Sequence, residues 1–159
     1  LLDELHPKVR VSLIEDDTEL EVMPQDIGVG VSQIFPVLTM AVTKKDGLAA
    51  IEQPELHIHP RLQTELADVF IRYAIQSNVM FLLETHSEHL MLRMLRRVRE
   101  AENHLNDQKS LSPDDLAVHY VESGSEGTKF SQLRVSEDGD FIDEWPDGFF
   151  DERDEELFF

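Results

Sequence analysis

The sequence contains no cysteine among its 159 residues, so disulfide bonds and metal sites built on thiolates are excluded. No run of about 18 apolar residues occurs, and we therefore expect no membrane-spanning helix. Basic residues are scarce, because 14 lysines and arginines stand against 33 aspartates and glutamates, which gives a net charge of −19. Such a surface repels nucleic acid phosphates. We expect a cytoplasmic protein that makes no membrane contact and does not bind nucleic acid directly.

Two further absences concern larger patterns. The stretch from Leu1 to His6 includes neither an initiator Met nor the basic and apolar regions of a signal peptide, so we expect an excised or processed piece. The pattern Gly-x-x-x-x-Gly-Lys-[Ser/Thr], whose backbone cradles phosphates, occurs nowhere in the sequence. A phosphate-binding loop of that type would have to come from another segment.

The character of the sequence changes near residue 102. Residues 1–102 alternate strand and helix patterns, and we predict an α/β core with parallel strands flanked by helices. Residues 103–159 are predicted to form a β-rich extension with an acidic tail. Within this extension, segments 116–121 and 130–135 predict antiparallel strands, and 122–127 is interpreted as a loop.

A hairpin over residues 8–23 and three helices are predicted within the core. Apolar spacing predicts the first helix over 32–42, with Pro36 near its first turn, after a glycine-containing loop. Pro60 suits the start of the second helix, and Ser87 caps the third. Four arginines near the end of the third helix are interpreted as a solvated helix end that suits the helix dipole: Arg93, Arg96, Arg97 and Arg99.

The most informative feature is a pair of apolar runs that each end in polar residues. Residues 48–52 and 79–83 predict two short buried strands, and the intervening helix implies that they are parallel. Ligands in open α/β sheets bind beyond the carboxyl ends of the strands. We therefore predict a nucleotide site where Glu52 and His86 meet. Glu52 would hold a magnesium ion whose shell is completed by phosphates, and His86 would hydrogen-bond a terminal phosphate.

Weaker patterns surround this pair. Gly28 and Gly30 precede a helix start, where backbone N–H groups can approach an anion, although a tight turn would require the same glycines. Glu55 with His57 and His59 has ligand types that suit a transition metal, but a loop at a subunit contact is the interpretation we favour. The aromatic segment that begins at Trp145 is either docked on the domain or a partner-binding tail.

Taken in order, these motifs resemble the C-terminal half of an ABC-class ATPase domain, and most closely the AAA-type ATPases related to the overcoming-lysogenization-defect (OLD) family. The resemblance covers nearly the whole chain and includes an uncharacterised C-terminal domain. In chain order, the residues that carry it are Asp26-x-Gly28-x-Gly30-x-Ser32-Gln33, Ile51-Glu52-Gln53-Pro54-Glu55-Leu56-His57-Ile58-His59-Pro60, Glu84-Thr85-His86-Ser87-Glu88-His89-Leu90 and Trp145-Pro146-Asp147-Gly148-Phe149-Phe150.

The resemblance implies a role for each motif. Glu52 is similar to the Walker B acid that serves Mg²⁺, and His86 is similar to the switch histidine. The segment from Gly28 to Gln33 resembles the signature that touches the γ-phosphate of ATP bound to a second copy. The segment from His57 to Pro60, which includes His59, resembles the loop that crosses the dimer interface.

The resemblance also implies partners. ATP and Mg²⁺ would lie between two subunits of a homodimer or higher oligomer, with the P-loop on an N-terminal lobe. An effector protein such as a nuclease, in phage defence or DNA handling, is a further implied partner.

Departures from the family pattern qualify this expectation. Gln53 stands where ABC-class ATPases usually carry the glutamate that activates water, and an amide cannot act as a general base. Either Glu55 or Glu84 substitutes, or hydrolysis is slow and the site works as a nucleotide-gated clamp. Gly30 stands at the usual serine of the signature, so Ser32 supplies the hydroxyl or only backbone donors act.

Two other functions remain open from the sequence. The first is a non-enzymatic regulatory or interaction module, which Gln53 and the missing P-loop favour for the isolated chain. The second is a metal-dependent nuclease, which the net charge opposes. Its candidate residues are Glu52, Glu55, His57 and His59.

Overall fold

The structure is a computed structural model that describes residues 12–101, 111–125 and 127–145. The start of the predicted N-terminal hairpin and the acidic tail lie outside the described residues. The elements in chain order are β1 (Leu13–Ile14), β2 (Glu21–Val22), α1 (Val29–Thr43), β3 (Asp46–Glu52), α2 (Pro60–Gln76), β4 (Asn78–Glu84), α3 (Glu88–Ala101), β5 (Val118–Gly124) and β6 (Gly127–Leu133), with short 3₁₀ turns at Pro24–Asp26 and Pro113–Asp115. None of the helices in these ranges combines the length and apolar character needed to cross a bilayer.

The described residues form a mixed α/β structure with one parallel strand pair and two antiparallel hairpins. β3 and β4 are parallel, in a register that runs from Asp46 opposite Asn78 to Glu52 opposite Glu84. The hairpins pair β1 with β2 and β5 with β6. This confirms the predicted α/β class and the parallel connection through α2. Parallel neighbouring strands need a long crossover connection, and α2 provides it.

The core lies on one face of the β3–β4 pair. α2 and α3 pack together there, and the rings of Phe70 and Phe81 are 5.1 Å apart between centroids. Ser87 caps α3 by accepting a hydrogen bond from the backbone N–H of Leu90, as predicted. The buried cluster comprises Ile58, Leu66, Ala67, Phe70, Ile71, Leu90, Met94, Val98 and Leu111.

The prediction that both strands are buried is wrong for the face of the strand pair that points away from α2 and α3. Leu48, Met80 and Leu82 point away from the core and are 56%, 71% and 60% exposed. Side chains alternate across a strand, and within the described residues the helices cover only the inner face. The outer face of the pair is therefore an apolar surface that ends in Glu52 and Glu84.

Helix α1 begins three residues earlier than predicted, and Pro36 is its eighth residue rather than part of its first turn. Gly28 is the N-cap and Gly30 lies inside the first turn. The early start is possible because Gly30 has no Cβ, which would collide with the backbone carbonyl of His57. The first turn of α1 therefore rests directly on the loop that follows β3.

The interpretation of the α3 arginines as a solvated helix end is wrong for Arg93 and Arg97. Both donate hydrogen bonds to Asp68 of α2, at 2.8 to 3.1 Å, and Arg97 is only 13% exposed in its side chain. The hydrogen bond from Arg97 to Asp68 holds the pKa of Arg97 above its usual value. These arginines face α2 because Asp68 occupies a buried position on an otherwise apolar helix face.

The C-terminal hairpin is tighter than predicted. β5 continues to Gly124 and β6 resumes at Gly127, so the predicted loop over 122–127 is wrong. Gly127 has a φ of 118°, which only glycine adopts readily, and this permits the close reversal. The turn predicted near residues 137–140 is confirmed by the antiparallel bridge between Val135 and Phe141.

Candidate nucleotide site

The carboxyl ends of β3 and β4 place two carboxylates side by side. Glu52 and Glu84 are register partners and lie on the same exposed face of the strand pair. Neighbouring strands are about 4.8 Å apart, so the two side chains share one small volume at the edge of the sheet. Adjacent carboxylates repel each other unless a cation or a hydrogen-bond donor joins them. This arrangement suits a hard divalent cation.

Gln53 follows Glu52 in a conformation that is unusual for a residue with a side chain. Its φ is 45°, in the left-handed region. Its backbone N–H donates to the backbone carbonyl of Glu84 at 2.8 Å and to Glu84 Oε2 at 3.2 Å. Such a conformation costs about 1–3 kcal/mol and persists where surrounding contacts enforce it, often at functional sites. The loop after β3 is therefore held against the end of β4.

Glu55 links the loop after β3 to the loop after β4. Its side chain is buried, at 8% exposed, and Oε1 accepts a hydrogen bond of 2.8 Å from the backbone N–H of His86. Oε2 is also buried and has no hydrogen-bond partner among the described residues. A buried carboxylate oxygen without a partner carries a desolvation cost of about 1–3 kcal/mol. The hydrogen bond from the His86 N–H is thus the contact that holds the Glu55 side chain in place.

His86 presents its ring to solvent while its backbone is fixed. The side chain is 70% exposed, and Nε2 lies 3.3 Å from Glu84 Oε1, which makes an ion pair when the imidazole is protonated. An exposed imidazole with one nitrogen near a carboxylate can donate to or accept from a ligand at the sheet edge. The structure therefore brings together Glu52, Gln53, Glu84 and His86.

Gln63 is a contributor that the sequence reasoning missed. Its amide nitrogen donates to the backbone carbonyl of Ile58, and its oxygen accepts from Ser87 Oγ at 2.6 Å. Gln63 thereby links the loop after β3 to the start of α3. The sequence offers only one indication of this role, which is a polar residue beside the apolar face of an amphipathic helix. Many residues without any functional role share that feature.

The glycine segment contacts the loop after β3, and His59 is the last residue of that loop. Gly30 contacts the backbone of His57, and Gly28 has open space around its Cα. Ser32 Oγ donates to the carbonyl of Pro24 at 2.8 Å, and Gln33 is exposed. His59 Nδ1 accepts from the backbone N–H of Arg61, so His59 caps α2. The segment over 28–33 therefore contacts the site through the loop and does not enter it.

An open pocket of about 390 Å³ lies between the two loops and the start of α3. Its lining residues are Gln53, Glu55, Leu56, His57, Gln63, His86, Ser87, Glu88 and His89. Across the described part of the chain, no three histidine, aspartate or glutamate side chains converge as a protein-only metal site would require. A Mg²⁺ held at this edge by Glu52 and Glu84 would need phosphate and water as its remaining ligands.

A family model described as the AAA ATPase domain matches residues 3–91, which is more than half of the chain. The chain belongs to this AAA ATPase domain family. The matched part of the AAA ATPase domain contains α1, both parallel strands and the two loops that meet at the sheet edge. ATP is therefore the nucleotide that this family membership implies.

A second family model, described as a protein of unknown function (DUF3696), matches residues 111–158. It covers the β5–β6 hairpin and the turn that follows, and its description names no activity. No curated protein and no solved structure matches the chain. The AAA ATPase domain match thus carries the functional assignment, and the roles of individual residues rest on their geometry.

Proposed function

We propose that this chain supplies the Walker B and switch half of an ATP site. In this proposal Glu52 holds Mg²⁺ together with the phosphates of ATP, and His86 contacts the terminal phosphate. The observation that carries the proposal is the pairing of Glu52 with Glu84 at the edge where Glu55 also fixes His86. The donor set fits, because Mg²⁺ prefers one or two carboxylates completed by phosphate and water.

The P-loop of this site comes from another segment, since the sequence contains none. The exposed apolar face of Leu48, Met80 and Leu82 supports this part of the proposal, because parallel strands are almost always covered on both faces. A second copy then closes the site with its segment over 28–33, including Ser32 and Gln33, and with the loop that carries His59. The parent protein is an OLD-like ATPase whose effector is a nuclease.

Mg²⁺ in this proposal neutralises phosphate charge, and the residues of the chain position the attacking water. Gln53 can orient a water but cannot accept its proton. Glu84 is the neighbouring carboxylate that is half exposed, and it contacts both the Gln53 N–H and the His86 ring. In this proposal Glu84 accepts the proton from the attacking water. A base that is shared with two other donors is a weak one, so we expect slow hydrolysis.

The test is ATP hydrolysis by the polypeptide that joins this chain to a P-loop segment. Glu52→Gln and His86→Ala should each lower turnover at least on the order of tenfold, because each removes a contact to the metal or phosphate. Glu122→Gln is the matched control, since Glu122 pairs with Lys129 within the β5–β6 hairpin and the substitution should leave turnover unchanged. Turnover that is equal in all three variants would refute the site assignment.

A regulatory module without ATPase activity is the second candidate. Gln53 favours it, because the usual general base is absent at that position. Calorimetry of the P-loop-containing polypeptide with Mg-ATP separates the two functions. Nucleotide binding without measurable turnover supports the regulatory module, whereas turnover that depends on Glu52 supports the ATPase.

A further inference from the structure

We propose that Glu55 is a positioning residue that sets the place of His86, and that it is not the base that replaces the missing glutamate. This inference rests on the proposed function, because it concerns how the switch histidine is held. It also makes a claim about the molecule that can be tested without nucleotide.

The two residues are 31 positions apart and belong to different loops. Glu55 follows β3, and His86 follows β4. The 2.8 Å hydrogen bond to Glu55 Oε1 comes from the backbone N–H of His86. It therefore fixes the backbone from which the imidazole extends and leaves both ring nitrogens available. An acceptor oxygen at this position therefore anchors the backbone that carries an otherwise exposed side chain.

Glu55 borders the open pocket, but it is only 8% exposed, which argues against a direct chemical role. A general base must come within about 2.6–3.2 Å of the proton that it removes. Oε1 is occupied by the His86 amide, and Oε2 is buried without a partner among the described residues. The ring of His86, at 70% exposed, and Glu84, at 50% exposed in its side chain, are the groups that reach the surface of the edge. Glu55 acts through His86.

Substitutions of Glu55 distinguish a base from an anchor. Glu55→Gln retains an acceptor oxygen for the His86 N–H but cannot accept a proton, whereas Glu55→Ala removes both abilities. A positioning role predicts that Glu55→Gln keeps ATP turnover within about threefold and that Glu55→Ala lowers kcat about tenfold or more. The KM for ATP should change much less than kcat, because ground-state binding uses other groups. A base role predicts an equal loss in both variants.

Amide hydrogen exchange provides the test that needs no nucleotide. In this chain, Glu55→Ala should accelerate exchange at the His86 N–H by about tenfold or more, because the amide loses its buried acceptor. Exchange at the Leu90 N–H should stay unchanged, since that amide bonds to Ser87 Oγ. Glu55→Gln should stay close to the parent rate. Glu100→Ala is a control for removing a distant carboxylate, because Glu100 pairs with Arg96 and Arg97 instead.

Glu55→Asp covers the case in which the alanine variant does not fold. It retains the charge but shortens the side chain by one methylene, so exchange at His86 should again accelerate. Unchanged His86 exchange in both Glu55→Asp and Glu55→Ala would overturn the inference. Equal loss of turnover in Glu55→Gln and Glu55→Ala would also overturn it, in favour of a base.

The proposed function can be refuted independently of the inference about Glu55. If His86→Ala leaves turnover unchanged, the switch role of His86 is wrong, whatever the exchange experiment shows. If His86→Ala lowers turnover and Glu55→Ala does not, the site assignment stands and only the anchor role of Glu55 is refuted.

Discussion

Gln53 joins the ends of the two parallel strands. It places an amide next to Glu52, and its left-handed backbone turns the loop so that its N–H reaches Glu84. The same turn carries Glu55 under the edge, where it meets His86. Gln53 therefore lies where the loop after β3 meets the end of β4.

Restoring a carboxylate at this position should speed hydrolysis. In the P-loop-containing polypeptide, Gln53→Glu is expected to raise ATP turnover on the order of 10²-fold, because a positioned general base contributes typically 10²–10⁴-fold. Gln53→Asn is the matched control, since asparagine tolerates the left-handed conformation and remains an amide. Steady-state kinetics measures both. A Gln53→Glu variant that is no faster than Gln53→Asn would show that another group already serves as an efficient base.

The sequence was informative for single residues where a strand ends. Glu52 and His86 could be singled out because each apolar run is followed by polar residues, and the structure pairs the ends of the two strands. The burial of Glu55 could not be anticipated, because it depends on the unusual turn at Gln53. The link through Gln63 was likewise hidden, since its two partners come from different loops.

At the scale of elements, α2 and α3 are joined by a partly buried ionic cluster. Asp68 accepts hydrogen bonds from Arg93 and Arg97, whose side chains are 20% and 13% exposed. Asp68→Ala should lower the free energy of unfolding by about 3 kcal/mol, because it leaves two guanidinium groups with reduced pairing in a low-dielectric setting. Glu65→Ala, which removes the exposed pair with Arg61 on the same helix, should cost at most about 1 kcal/mol. Urea denaturation compares the two variants, and equal losses would contradict a buried role for Asp68.

The turn after β6 is docked closely on α3. Gly139 has a φ of 69°, and a Cβ there would collide with the carbonyl of Leu95 and the backbone of Arg99. Gly139→Ala should therefore cost about 1–2 kcal/mol for the backbone conformation and about 1–3 kcal/mol more for the collision. Gly47→Ala isolates the first contribution, because Gly47 has a φ of 78° and open space around it. Similar melting temperatures for both variants would show that the turn can move away from α3 at little cost.

The ion pair between Arg134 and Asp143 predicts a pH dependence. Hydrogen bonds from the Arg134 side chain, and then from its backbone N–H, lower the pKa of Asp143 from 3.8 to about 2. Because the pKa is lower in the folded state, the pair contributes stability above the unfolded value, and this contribution is lost as pH falls through about 2. The difference in unfolding free energy between the parent and Asp143→Asn should be constant above about pH 5 and shrink below pH 3.8. A difference that is equal at pH 2.5 and pH 7 would contradict this pair.

Elements were predictable where one periodic signal dominates. The cap at Ser87 and the proline start of α2 are local, so the sequence alone located both helices. The start of α1 was misplaced because it depends on contact between Gly30 and a distant loop. The roles of Arg93 and Arg97 were missed for the same reason, since their partner is on another helix.

For the whole molecule, the distribution of surfaces is informative. The parallel pair has a packed inner face and an apolar outer face, and the outer face ends at the two carboxylates of the candidate site. The chain has a net charge of −19, which repels a negatively charged nucleotide. Binding of a nucleotide at this edge therefore needs a cation and hydrogen-bond donors from elsewhere. The exposed apolar face and the acidic edge are both consistent with the proposal that another segment supplies the P-loop.

The central claim is that ATP and its metal bind at the ends of β3 and β4. Mn²⁺ in place of Mg²⁺ tests this directly, because a paramagnetic ion broadens the amide signals of nearby residues in NMR spectra. With ATP and the P-loop segment present, the account predicts that the amides of Glu52, Gln53, Glu84 and His86 are broadened more than the amide of Tyr120 on the β5–β6 hairpin. Mn-ATP that binds but leaves those four amides sharp, or broadens Tyr120 instead, would contradict the account.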